Sequence, residues 1–494
     1  MLMPPDFGLA LDRSTRVERG GRLLLGGTPF RLVRLADHHA AALAAWRRGD
    51  PVGDDEGRRR FARALVASNL AHPCPPSAPP DGPRADVTVV VPVRDRPRQL
   101  DRLLRALAQP GSDHVPEVIV VDDASADQDR TADVVAANGG RLLRRPTRGG
   151  APAARNDGAA AATAPFIAFL DSDCVPEPGW LDTVLPHFAD PLVAVVAPRV
   201  VALPAPPSAH PLPGQDAGWL ASYEDVRSPL DRGSSPARVL PGGQVPFVPG
   251  AALVVRAAAL GTGFDETLHG GEDVDLVWRL TGEGWHVRYE PAARVAHEHR
   301  VSFGAWLSRR AYYGRTAAPL ARRHPAAARP LAVSPWTAAA WAAAALRRPY
   351  AAAGIVGAAC VLLAGKLAGV VDQPVREAVR LAGGGTLRSG RRVADAVART
   401  WWPATLVTAA LTPRLRLPLA AAALAPAVGE WRRLRPPLDP VRWTIARVLD
   451  DAAYGWGVWS GCWAEREWGP VSPDLGWRLA IQTGDELIAT TGAG

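Results

Sequence analysis

Between residues 86 and 315 the chain repeats one pattern, and that pattern restricts the fold more than any other feature. A short, wholly apolar run ends in acidic or polar residues, a stretch of helical period follows, and the next apolar run begins. Val87–Val91 leads into Pro92-Val93-Arg94-Asp95-Arg96, Val118–Val121 into Asp122-Asp123-Ala124-Ser125, and Phe166–Leu170 into Asp171-Ser172-Asp173. Arg98–Leu107 and Asp127–Ala137 carry the helical period in between. Strands without polar alternation are buried on both faces, as parallel strands covered by helices are. The segment is therefore predicted as α/β with a doubly wound sheet, whose ligands bind at the carboxyl ends of the strands. The acidic residues stand at those ends.

Composition sets the frame around this segment. At a prior of roughly 150 residues per domain, the 494 residues suggest about three folded units. Cys74, Cys174, Cys360 and Cys462 lie far apart with no C-x-x-C pair, which argues against a disulfide framework or a cysteine zinc site and fits a reducing compartment. The formal charge is +8, yet Lys366 is the single lysine among 57 basic residues. Alanine, proline and glycine are equally inflated, which reflects GC-rich coding more than a basic patch, so no nucleic-acid partner is expected. The N-terminus lacks the basic segment and apolar run of a secretory signal, and residence on the cytoplasmic side is expected.

Proline-rich breaks divide the chain. Residues 1–72 form a small module, 73–85 a proline-rich linker, 86–325 the α/β segment, and 326–494 a helical, hydrophobic C-terminal region. In the module, Arg22–Leu25 and Phe30–Leu35 flank Gly26-Gly27 and read as a hairpin. Helical patterns follow over His38–Arg48 and Glu56–Leu70. The hairpin and helices resemble the winged-helix peptide-recognition modules of enzymes that modify ribosomal peptides; a plain structural cap is the alternative. In the C-terminal region, Tyr350–Val371 has the roughly twenty residues a bilayer span needs. Arg347 and Arg348 would keep its start in the cytoplasm, and Trp401, Trp402, Trp431 and Trp443 suit a bilayer interface. A buried helix pair would read the same way.

Several residue groups carry chemistry. Asp122 and Asp123 can accept hydrogen bonds from a ribose or a base, or cap a turn. In Arg148-Gly149-Gly150…Arg155-Asn156-Asp157-Gly158 the glycines permit close approach to a phosphate, and Arg155 offers a planar donor fork for it. Asp171 and Asp173 are hard oxygen ligands that suit Mg²⁺ or Mn²⁺ shared with a diphosphate. Glu272 and Asp273 open a helix, where capping is worth about 0.3–1 kcal/mol. Either is also a candidate general base. His297 and His299 end another apolar run in a spacing that is not H-E-x-x-H, and they read as metal ligands or as a surface pair.

VTVVVPVRD, VIVVDDAS, ARNDG, FIAFLDSD, FVPGA, GGEDVDLVWR and VAHEHR, in that order, resemble family 2 glycosyltransferases of the GT-A fold. The resemblance implies a Rossmann-like mixed sheet, a nucleotide-sugar donor, an inverting displacement and a divalent metal. It implies nucleoside contacts from Asp122 and Asp123, contacts to ribose, diphosphate and metal from Asp171 and Asp173, and Asp273 as base. The candidate set adds Pro92, Arg94 and Arg155 on the donor side, His297 and His299 at the metal, and Glu272 beside the base. No Q-x-x-R-W follows the helix at Asp275, which speaks against polymer extrusion. Within the family, the three-part architecture is most similar to the glycosyltransferases of mycofactocin systems. That similarity implies glucosylation of a redox cofactor derived from a ribosomal peptide, a peptide-derived small-molecule acceptor, with a UDP-hexose, UDP-glucose, as donor. The apolar run and the tryptophans lead to the expectation that the enzyme sits at the cytoplasmic face of the membrane. The alternatives are a rhamnosyl or galactosyl transferase acting on a lipid-linked envelope glycan, and an inactive membrane-tethered binding protein.

Overall fold

The structure, a computed structural model, describes residues 1–76, 86–108, 117–203, 217–299, 302–325, 327, 329–476 and 480–492. Residues 77–85 of the predicted linker lie outside the described residues. The chain divides into two compact units: Met1–Ala209 with Arg227–His299 and Ile481–Gly494, and His210–Val226 with Arg300–Ala480. Residues 302–325, grouped by sequence with the α/β segment, thus fall in the second unit, and the last residues return to the first.

The first unit opens with β1 (Gly8–Leu11), β2 (Arg16–Glu18), β3 (Leu23–Gly26), β4 (Arg31–Arg34), α1 (Asp37–Arg47), α2 (Glu56–Ala67) and β5 (Ala71–Cys74). The predicted hairpin is β3 and β4, with Leu24 opposite Val33. Gly27 turns it at φ +82°, where a Cβ would lie 2.7 Å from the Ser68 carbonyl. Asp55 caps α2 by accepting from the Arg58 N–H at 2.8 Å. Phe7, Leu24, Val33, Trp46, Phe61 and Leu65 fill the core between sheet and helices. The C-terminal segment completes this module. Its strand Ala480–Thr483 joins the sheet beside β4, and the helix Gly484–Gly492 buries Leu487 in the same core.

The module is also tied to the large sheet. Arg63 donates two hydrogen bonds to Asp190, at 2.6 and 2.7 Å, and both side chains are buried. The Asn69 side chain accepts from the Arg238 N–H at 2.9 Å, and the Arg238 guanidinium donates to the Ala67 carbonyl at 2.7 Å.

The large sheet comprises β6 (Val87–Val93), β7 (Glu117–Asp122), β8 (Arg141–Arg144), β9 (Phe166–Leu170), β10 (Cys174–Pro176), β11 (Val193–Ala202), β12 (Ala237–Arg238), β13 (Ala252–Arg256) and β14 (His286–His297). Its order is β10-β14-β11-β13-β9-β6-β7-β8, with β12 paired to β14. β9, β6 and β7 are parallel, as the apolar runs predict, and β8, which carries no such run, is parallel to β7. β13 runs antiparallel to β9 and β11, and β10 antiparallel to β14, so the whole sheet is mixed. The helices α3 (Pro97–Leu107), α4 (Gln128–Ala137) and α5 (Gly150–Ala161) connect the parallel strands, and α6 (Trp180–Val184), α7 (Ala217–Arg227) and α8 (Glu272–Gly282) follow in the chain. Gly158 lets α5 lie directly on the sheet, since a Cβ there would meet Val90 Cγ1 at 2.3 Å.

The second unit is helical. The helix Phe303–Arg315 packs against Pro440–Glu465 through glycines: a Cβ on Gly457 would lie 2.0 Å from the Ala311 carbonyl, and one on Gly461 2.6 Å from that of Arg315. Buried Arg310 pairs with Glu224 and, at 2.9 Å, with Asp450, while Trp306 donates to Glu224 at 2.8 Å. The helix Pro349–Leu367 is long and apolar enough to cross a membrane, and Leu367 is its one buried residue.

Candidate active site

The carboxyl ends of β6, β7 and β9 gather the sequence-predicted residues. At the end of β7, buried Asp122 accepts from the Ser125 N–H at 3.0 Å through Oδ1. Its buried Oδ2 has no hydrogen-bond partner among the described residues. Asp123 takes another part. Its two oxygens accept from the N–H groups of Gly149 and Gly150 at 2.7 and 2.8 Å, and Arg145 stands 3.1 Å away. It therefore fixes the glycine turn that starts α5, and Asp122 holds the open acceptor. Pro92 is buried within β6, whereas exposed Arg94 beyond it pairs with Asp95 at 3.4 Å.

The D-x-D turn is bound on both sides. The Asp171 N–H donates to the Ala251 carbonyl at 3.0 Å, and the Glu298 N–H donates to the Asp173 carbonyl at 3.0 Å. Cys174 is in register with His297 across β10 and β14, which sets His297 Nε2 3.3 Å from Asp173 Oδ1. Arg96, at the start of α3, pairs with Asp173 Oδ2. Burial alone would raise the Asp173 pKa, but His297 and Arg96 outweigh it and hold the carboxyl well below the usual range. The buried His297 Nδ1 has no hydrogen-bond partner among the described residues. The His299 ring lies 5.9 Å from that of His297, centroid to centroid. Asp173, His297 and His299, predicted as one ligand set, do not close into a three-ligand cluster among the described residues; Asp173 and His297 meet.

Arg155 departs from its predicted place facing a phosphate. The guanidinium is buried and donates to Asp171 Oδ1 at 2.7 Å, to Glu272 Oε1 at 2.8 Å and to the Gly250 carbonyl at 3.2 Å, with the Phe264 ring 5.3 Å away. Burial opposes its charge, yet Asp171 and Glu272 prevail and raise its pKa above the ordinary value. It links Asp171 at the end of β9, the turn before β13 and α8 (Glu272–Gly282).

Asp273 lies at the start of α8, after Gly271 at φ +78°. Its Oδ2 accepts from the Gly250 N–H at 2.6 Å and its Oδ1 from the Val274 N–H at 2.8 Å. The approach is close, since a Cβ on Gly250 would come 3.0 Å from that of Asp273. Burial first, and then Glu272, push the Asp273 pKa up to about 6, against the pull of the Gly250 hydrogen bond. A carboxylate of that pKa suits proton transfer near neutrality. Sequence reasoning missed Arg96 and Asn156. Asn156 clamps the loop before α8, accepting from the Phe264 N–H and donating to its carbonyl, both at 2.8 Å. The signal for Arg96 was its place just after β6; for Asn156 it was the polar pair inside the alanine-rich α5.

The family model described as glycosyl transferase family 2 matches residues 88–240, and that of glycosyl transferase family group 2 matches residues 166–428. A protein of Mycobacterium tuberculosis described as pre-mycofactocin glycosyltransferase is 39% identical over 490 residues, covering 96% of this chain and 98% of its own. The chain belongs to glycosyl transferase family 2. As a family 2 glycosyltransferase it is also 31% identical over 259 residues to validoxylamine A glucosyltransferase of Streptomyces hygroscopicus, covering 47% of this chain and 56% of the relative. A mannosyltransferase structure from Pyrobaculum calidifontis, in complex with GDP-Man and Mn²⁺, aligns at 17% identity with a TM-score of 0.38, covering 84% and 98% of the two chains. Within the family this enzyme is similar over nearly its whole length to the pre-mycofactocin glycosyltransferase.

Proposed function

We propose that this glycosyltransferase moves glucose from UDP-glucose to the peptide-derived precursor of mycofactocin, a redox cofactor, in one inverting displacement. The acceptor is supported by the relative that matches end to end under the name pre-mycofactocin glycosyltransferase. The chemistry is carried by one observation: Asp273, seated at a helix start on the Gly250 N–H, with its pKa raised to about 6. In this reading Asp273 takes the acceptor hydroxyl proton as that oxygen bonds to the anomeric carbon, and the bond from that carbon to UDP breaks.

The other residues divide the donor. Asp122 Oδ2 accepts from the nucleoside, Asp123 sets the glycine turn beneath it, and Arg155 holds Asp171 and Glu272 in place around the sugar and diphosphate. Asp173 and His297 fit a divalent ion: they are a carboxylate and an imidazole, the His297 Nδ1 is orphaned, and a cationic group already stands against Asp173. Such a set suits Mn²⁺ or Mg²⁺ that takes its remaining ligands from water and diphosphate. When bound, the ion supplies positive charge to the leaving diphosphate. The N-terminal module would meet the peptide-derived acceptor, and the helix Pro349–Leu367 would hold the enzyme at the cytoplasmic face of the membrane.

The test is Asp273→Asn. We expect it to abolish hexose transfer while UDP binding, followed calorimetrically, stays as in the parent. Transfer that persists near the parent rate would remove Asp273 as the base.

A further inference from the structure

We propose that His38, His39 and Asp485 bind a divalent transition-metal ion of the zinc type that clasps the C-terminal helix to the N-terminal module. This site is separate from the sugar-transfer chemistry and does not depend on that reading. Among the described residues these three form the one group of histidine, cysteine or carboxylate side chains whose ligand atoms all lie within 4.8 Å of one another. They come from the first turn of α1 and the first turn of the helix Gly484–Gly492.

His39 is the informative member. It is 4% exposed, and its buried Nδ1 has no hydrogen-bond partner among the described residues. Its Nε2 stands 3.9 Å from Asp485 Oδ1. That gap is too long for a hydrogen bond and about half an ångström wider than the roughly 3.4 Å between two ligands of a tetrahedral ion with bonds of roughly 2.0–2.2 Å, a difference that a turn of the exposed Asp485 side chain closes.

The surroundings agree. The Phe61 ring, 4.3 Å away, forms an apolar wall behind His39. His38 and Asp485 are exposed, so the ion has a way in and water can fill its fourth position. The His38 ring centroid is 4.0 Å from that of His39. Gly484 lets the helix begin against the imidazole, because a Cβ there would sit 2.5 Å from His39 Nδ1. Two imidazoles and one carboxylate favour zinc-like ions over magnesium.

The experiment uses the full-length, tag-free, chelator-stripped protein in excess Mg²⁺, with Asp173→Asn titrated beside it to separate any Zn²⁺ taken up at the strand ends. Zn²⁺ is titrated calorimetrically, and amide exchange across 480–492 is followed by mass spectrometry with and without Zn²⁺. His38→Ala and Asp485→Asn alter exposed side chains and leave the module core intact. The parent should bind one Zn²⁺ that each of these two variants binds at least tenfold more weakly, and Zn²⁺ should slow exchange across 480–492 in the parent but not in them. Equal Zn²⁺ affinity in parent and both variants, or exchange that does not respond to Zn²⁺, would overturn the proposal.

Discussion

At the residue scale, the pKa of Asp273 has two consequences of opposite sense. A base must be ionised, so kcat/KM should fall as pH drops through about 6, a limb that a pH–rate profile would reveal. Stability should move the other way. The folded state holds the Asp273 proton more tightly than the unfolded chain, whose carboxyl titrates near 3.8, so this group's stabilising contribution is full below 3.8 and lost as pH rises through about 6. Denaturant titrations should therefore find Asp273→Asn less pH-sensitive than the parent over that window. A flat parent profile there would contradict the assignment. These carboxylates were legible because they follow apolar runs. The sequence groups Asp173 with His297 and His299, but which histidine meets Asp173 depends on the pairing of Cys174 with His297, a register no local pattern encodes. Arg155 was misread for a related reason: its sequence neighbours are glycines and alanines, while the acids that enclose it arrive from β9 and α8.

At the scale of elements, close packing makes sharp demands. Gly158→Ala would force a methyl into Val90 and Val121, and such overpacking typically costs about 1–3 kcal/mol. Leu487→Ala would open the N-terminal module core from the far end of the chain, and a buried leucine lost to alanine costs roughly 2–5 kcal/mol. Chemical denaturation would measure both, and an unchanged midpoint for Leu487→Ala would mean that the terminal helix adds nothing to the module. Sequence gave the parallel strands through their unbroken apolar runs, but β13 reads identically whether it runs with its neighbours or against them. The returning strand Ala480–Thr483 was illegible because it is short and lacks a strong strand pattern. Its Gln482 accepts from Arg31, 451 residues away.

At the scale of the whole molecule, the exposed apolar helix Pro349–Leu367 bears on location. A spanning helix predicts that the protein sediments with membranes and stays there through a carbonate wash; release by the wash would indicate peripheral docking, and recovery in the cytosol without washing would defeat the membrane reading. The central claim is catalytic. The most direct measurement incubates the full-length enzyme with UDP-glucose, the mycofactocin precursor and Mn²⁺, and follows UDP release beside the mass of the acceptor. We predict stoichiometric release of UDP with an acceptor one hexose heavier, and loss of both on chelation or in Asp273→Asn. An acceptor of unchanged mass with no UDP released, or a hexosylated product that forms equally well in Asp273→Asn, would contradict it.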